Sequence, residues 1–185
     1  MKKALYLLIP IIVFVSWSFS KQNKSVAVIP FDVSYEGKGF DTTVAETADE
    51  EQETGQDYQY DLYRWLKAHQ DDYPVTFQDA DSTDSLLSRQ NIGYKEIFQR
   101  DKSDLCKVLG VDEIVAGKVV LSQPWSLASI RDYKEVRDYK VKATLNIYDS
   151  QNALLWSFSH TVRDTISQSS ITEKLMRKYE KKIAF

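Results

Sequence analysis

The run Ser25-Val-Ala-Val-Ile-Pro-Phe31 limits the fold more than any other stretch of this chain. A strand that faces water on one side alternates apolar and polar residues. An unbroken apolar, β-branched run reads instead as a strand buried on both faces, with Pro30 marking its end. Such a strand needs a sheet with helices packed on it, and the rest of the chain supplies both. Of 185 residues, 43% are hydrophobic and 12% aromatic. That suffices for one well-buried core and is too short for two ordinary domains.

Further elements follow from periodicity. Leu62, Trp65, Leu66 and His69 fall at the three- and four-residue spacings of one helical face, so Tyr58 to His69 is read as a helix. Tyr73 to Gln78, with Pro74 near its start, is a short strand. Asp79 to Ser85 is turn chemistry, and Gly93 to Gln99 is a short helix. Lys102 to Leu109 is a helix capped by Asp101 or Ser103, with Gly110 as the left-handed residue beyond it. Val111 to Gln123 is a strand closed by Pro124. Val141, Ala143, Leu145 and Ile147 alternate with polar residues, Asp149 to Asn152 turns, and Leu154, Trp156 and Phe158 alternate on the return, which makes a β-hairpin. Ile171, Leu175, Tyr179 and Ile183 recur every four residues, with Glu173 early and Lys178, Lys181 and Lys182 late, as suits the dipole of a terminal helix. Two segments fit no periodic element and read as irregular: the acidic stretch Asp32 to Gln56, a solvated loop with room for a helical turn, and Trp125 to Tyr139.

Met1 to Ser20 has the three parts of a secretory leader: Lys2 and Lys3, the apolar run Ala4 to Val15, and small side chains at Ser18 and Ser20. Cleavage is expected before Lys21, leaving one domain over 21–185. The alternative is a retained anchor, against which stand Pro10 and an apolar run of about 12 residues where a spanning helix needs roughly 20. Removing the leader takes the formal charge from −3 to −5, since Lys2 and Lys3 leave with it. Bases are interleaved with acids along most of the chain, so the clustered cations that displace counterions from a nucleic acid are missing.

Candidate chemistry is sparse. Asp79, Asp81 and Asp84 share a polar stretch, but the central glycine and distal glutamate of a calcium loop are absent. His69 and His160 have no second ligand at metal spacing. No Gly-x-Ser-x-Gly elbow occurs, and six scattered glycines build no phosphate-cradling loop. Cys106, the single cysteine, lies at the apolar spacing of Leu105 and Leu109 and reads as packing. No cofactor or metal site is expected. The acids from Glu46 to Glu53 form a solvated face or a docking surface for a basic partner.

The stretches Val26 to Phe31 (VAVIPF), Leu109 to Val119 (LGVDEIVAGKV) and Leu145 to Ser157 (LNIYDSQNALLWS) resemble, in order and spacing, one envelope family. It is the α/β domain shared by the amino-terminal part of TolB, the curli-secretion lipoprotein and the lipoprotein activators of penicillin-binding proteins. The resemblance spans about residues 25 to 160. It implies a domain that binds other envelope proteins. Three features depart from that family: no cysteine follows the leader for lipidation, no propeller follows the domain, and no segment alternates long enough for a membrane hairpin.

The expectation is therefore an α/β domain with a mixed sheet of about five strands, one face covered by helices. It would be an exported, non-catalytic accessory protein of the periplasm or cell envelope, possessing no lipid anchor. Its contact surface would comprise Tyr35, Phe40, Glu50, Glu51, Trp125 and Tyr133. Two alternatives stay open: an envelope hydrolase built around His160 and the Asp79 to Asp84 stretch, and a membrane-surface protein using the basic terminal helix.

Overall fold

The computed structural model describes residues 23–36, 44–122, 139–164, 174–175, 177–179, 182–183 and 185. The leader, Phe40, Trp125 and Tyr133 lie outside them.

The apolar run forms β1 (Lys24–Val28), and the chain resumes after Pro30 as β2 (Asp32–Glu36). Helix α1 (Val44–Ala68) leads to β3 (Val75–Phe77), followed by α2 (Ala80–Arg89), α3 (Tyr94–Gln99) and α4 (Lys102–Leu109). Strand β4 (Glu113–Ser122) then pairs with the hairpin of β5 (Tyr139–Asp149) and β6 (Leu154–Asp164). The sheet runs β3-β1-β4-β5-β6, with β2 also on β4. Strands β1 to β4 pair in parallel and the hairpin antiparallel, which makes one mixed α/β domain.

Three expectations change. The first concerns coverage of the sheet. Val26 and Val28 pack with Tyr58, Leu62 and Leu66 of α1 on one face, while Ala27 and Ile29 pack with Leu87, Ile97, Leu105 and Leu109 of α2 to α4 on the other. Both faces are thus covered at β1, as its unbroken apolar run requires, and the single covered face holds only for β5 and β6. There Val141, Ala143, Leu145 and Ile147 point inward, towards Leu175, Tyr179 and Ile183 of the terminal segment, while Lys142 is exposed on the reverse.

The second correction is the stretch Asp32 to Gln56, whose described residues form β2 and the first half of α1 in place of the expected solvated loop. Glutamate, glutamine and alanine favour helix, and acids in the first half with Lys67 in the last turn match the dipole. The apolar stripe is missing because Thr54 and Gly55 face the sheet there. The third correction is Asp79 to Ser85. Asp79 accepts from the Ser82 amide at 3.1 Å and so caps α2 instead of making a free turn.

Other expectations hold. Asp101 caps α4, and Gly110 closes it at φ 68°. Cys106 is buried among Leu87, Leu105 and Leu109, and burial pushes its thiol up to about 11, so it is a packing residue with little thiolate.

The parallel register of β1 on β4 is clamped at its start. Glu113, a buried carboxylate, pairs with Lys24 at 2.5 Å. The neighbouring Asp112 accepts from the Ser25 amide at 2.8 Å and the Ser25 hydroxyl at 2.9 Å. Those bonds hold the Asp112 carboxyl below the usual carboxylate range. Its stabilisation is therefore present above the unfolded value of about 3.9 and is lost as pH falls through the lower folded value. Asp112→Ala should lose about 1 kcal/mol at pH 7, with solvent exposure discounted. Urea unfolding at a series of pH values checks this, because the difference from the wild type should shrink as pH drops below about 4. A difference that stays constant to pH 2 removes the carboxylate from the clamp.

Candidate functional site

The chain leaves β1 for α1 on one face, and leaves β3 for α2 to α4 on the other, before returning as β4 beside β1. Where successive connections part in this way, a crevice opens beyond the carboxyl ends of the strands. A cleft of about 560 Å³ lies there. Pro30, Leu87, Ile92 and Ile97 supply its apolar surface, and Gln52 and Gln56 of α1 line it opposite Asp84 and Ser88 of α2. Asn91, at φ 53°, turns the chain between α2 and α3, and Gly93 and Tyr94 complete the wall.

Asp84 is the one acid or base among the described lining residues. Burial is the main reason its carboxyl is pushed above the ordinary range. Buried Gln59 donates to Asp84 Oδ1 at 3.0 Å and to the Val28 carbonyl at 2.9 Å, so the acid is tied to the end of β1. Gln59 Oε1 is buried with no hydrogen-bond partner. The neighbouring Tyr60 hydroxyl donates to Asp81. The wall on the other side is fixed by the Tyr94 hydroxyl, which lies 2.6 Å from the Phe31 carbonyl and 3.2 Å from the Val33 amide. Gly55 is required beneath it, since a Cβ there would sit 2.4 Å from the Phe31 carbonyl oxygen. The site is thus a firm hollow rich in acceptors and amides with an apolar floor.

Of the residues expected on the contact surface, three fall among the described residues, Tyr35 on β2 and Glu50 and Glu51 on α1, and none of them lines the cleft. Glu50 is exposed on α1, and Glu51, half-buried, pairs with Lys95 of α3. Tyr35 is half-buried, its hydroxyl 3.0 Å from Thr54 Oγ1, so it fastens β2 to α1. Burial raises the Tyr35 phenol, and Glu50, Glu51 and Glu53 add to the rise. Sequence reasoning singled out Asp84 only as a calcium or hydrolase candidate, and it missed the cleft residues Gln52, Gln56, Asn91 and Tyr94. Their available signal was the sequence Asn91-Ile92-Gly93, a turn between two short helices.

The hydrolase arrangement is not assembled. His160 lies on β6, while Asp79 caps α2 and Asp81 and Asp84 belong to it, and α2 packs beside β1. Three strand spacings, about 14 Å of sheet, separate β6 from β1. His160 stacks on Phe158 with ring centres 6.2 Å apart, and His69 stacks on Trp65 at 4.4 Å. Among the described residues no group of three metal-ligating side chains forms, and no helix is long and apolar enough to cross a membrane.

No family model matches the sequence, and no curated protein is similar to it by sequence. Solved structures do match. Lipoprotein GNA1162 from Neisseria meningitidis has a TM-score of 0.53 at 16% identity, over 85% of this chain and 96% of that one. PelC from Paraburkholderia phytofirmans gives 0.46 at 14% identity, over 84% and 85%. The LpoB C-terminal domain from Salmonella enterica gives 0.40 at 6% identity, over 77% and 84%. The first likeness is one of fold alone, and the other two are looser and carry nothing further. The sequence resemblance to the α/β domain of envelope lipoproteins is therefore met at the level of fold.

Proposed function

We propose that this chain is an exported accessory protein of the bacterial envelope that acts by binding other proteins, and that its cleft takes a basic side chain from the partner. The carrying observation is the half-buried Asp84 carboxylate in a hollow whose described lining residues include no cation. The exposed acids Asp49, Glu50 and Glu53 belong to α1, the helix that supplies Gln52 and Gln56 to the cleft. A lysine or arginine from a partner would supply donors to Asp84, while the surface acids would steer its approach. Location in the envelope rests on the leader and on the fold shared with a lipoprotein. The surface residues Phe40, Trp125 and Tyr133 remain proposed contacts beside Tyr35, Glu50 and Glu51.

A photo-crosslinker placed at Ser88, in the cleft, should trap a defined envelope protein in exporting cells, and one at exposed Lys107 should not. Adding Asp84→Asn and Glu50→Lys should cut the Ser88 product to about a tenth or less, because truncating one member of a desolvated charge pair weakens binding by 2 kcal/mol or more. The same product from both positions, or a product indifferent to the two substitutions, overturns the assignment.

A further inference from the structure

A second hollow, of about 450 Å³, lies at the outer edge of the sheet between β6 and the helical residues 174–175 and 177–179. His160, Arg163, Lys174, Arg177 and Lys178 line it, and none of its described lining residues is acidic. The bases come from two elements and converge on one opening. Beside it, Lys140 of β5 stands directly opposite Arg163 in the antiparallel register. Like charges so placed repel, and no salt bridge among the described residues neutralises either one.

The same strand carries an apolar feature at its other end. Leu154 and Leu155, at the hairpin tip, are the large hydrophobic side chains left exposed among the described residues, at 54% and 49%. The register shift opposite Tyr148 and Ile147 leaves Leu155 without a cross-strand partner. Between tip and hollow, over about 26 Å of strand, the outward residues Ser157, Ser159 and Thr161 carry hydroxyls. A protein interface concentrates its apolar anchors in a desolvated centre with charge at the rim. Here apolar tip, hydroxyl run and cations are strung along one edge, which matches a layer of headgroups over acyl chains.

We propose that the β6 edge docks on an anionic phospholipid surface, with a lipid phosphate in the His160–Arg163–Lys178 hollow and Leu154 and Leu155 in the interface. The cations attract the phosphates, each well-placed one adding about fivefold to binding, and the leucines add apolar burial. This goes beyond the protein-binding reading and rests on its envelope location. The acidic cleft lies beside β1, three strands from the membrane-facing edge, so a bound partner and the lipid would not compete.

The test is partition of the protein, as recovered from the envelope of an exporting host, onto two kinds of vesicle. One is phosphatidylcholine alone, and the other contains phosphatidylglycerol as about a third of its lipid. The wild type should favour the anionic vesicles about twentyfold or more, and Arg163→Glu with Lys178→Glu should erase that preference. Leu154→Ser with Leu155→Ser should weaken binding to both. A retained leader would add the anionic preference of Lys2 and Lys3 equally to the wild type and the variants, so the difference between them reads the β6 edge. If the reversals do not fold, judged by circular dichroism, Arg163→Gln with Lys178→Gln replaces them and should lower the preference about twentyfold. Equal binding to the two vesicles, an unchanged preference in the variants, or capture of inorganic phosphate without vesicle binding overturns the proposal. A wild type that shows no preference while its Ser88 crosslink still forms removes this inference and leaves the protein-binding reading standing.

Discussion

Gly117→Ala should destabilise the domain by about 3 kcal/mol through overpacking, and Phe31→Ala by about 4 kcal/mol through the cavity it leaves, yet the two together should be milder than their sum. Phe31 is fully buried where the chain passes from β1 to β2, stacked on Tyr58 with ring centres 5.7 Å apart. Its ring lies against the backbone of β4 at Gly117, where a Cβ would come within 2.0 Å of Phe31 Cδ1. Removing the ring makes the room that the methyl group needs. A double-mutant cycle in urea should therefore return a coupling of at least about 1 kcal/mol in the favourable direction. Strict additivity would mean that ring and glycine do not share this space.

Tyr94→Phe is expected to lose about 2 kcal/mol with an unchanged denaturant slope, because it strands two backbone groups without exposing new surface. The phenol has one proton, directed to the Phe31 carbonyl at 2.6 Å with the Glu51 carbonyl also in reach at 2.9 Å, while its oxygen accepts from the Val33 amide at 3.2 Å. Phe31 and Val33 are both fully buried, so water does not replace the lost partner. Burial also holds the phenol protonated far above its usual range. Hydrogen exchange gives the local readout: the Val33 amide should lose protection before the neighbouring amides of β4. An unchanged midpoint would assign the hydroxyl no part in joining α3 to the β1–β2 junction.

What the residues disclosed follows from how each is buried. The hairpin was legible because β5 keeps one face wet, and alternation in its sequence is a direct image of that geometry. The buried strand β1 and helix α4 were legible for similar reasons, one by its unbroken apolar run and one by Asp101 and Gly110 at its ends. The first half of α1 was not. It meets the sheet through Thr54 and Gly55, whose size serves close approach and leaves no apolar period. The cleft was hidden for a different reason: Gln52, Asp84 and Tyr94 come from three helices and meet only because the connections after β1 and β3 take opposite faces. A polar residue on a short helix carries no mark of what stands across from it. Glu50 and Glu51 could be picked out by charge, but charge alone did not reveal that Glu51 is tied to Lys95.

The clamp between Ser25 and Asp112 joins residues 87 apart in the chain. During synthesis, β1 emerges roughly 4 to 17 s before the strand that shelters it, at the usual pace of a ribosome. For that interval an oily segment travels without β4, and for the first part of it without β3 as well. Folding must therefore wait for the later half, and any helper that shields the early half has its target in Val26 to Phe31.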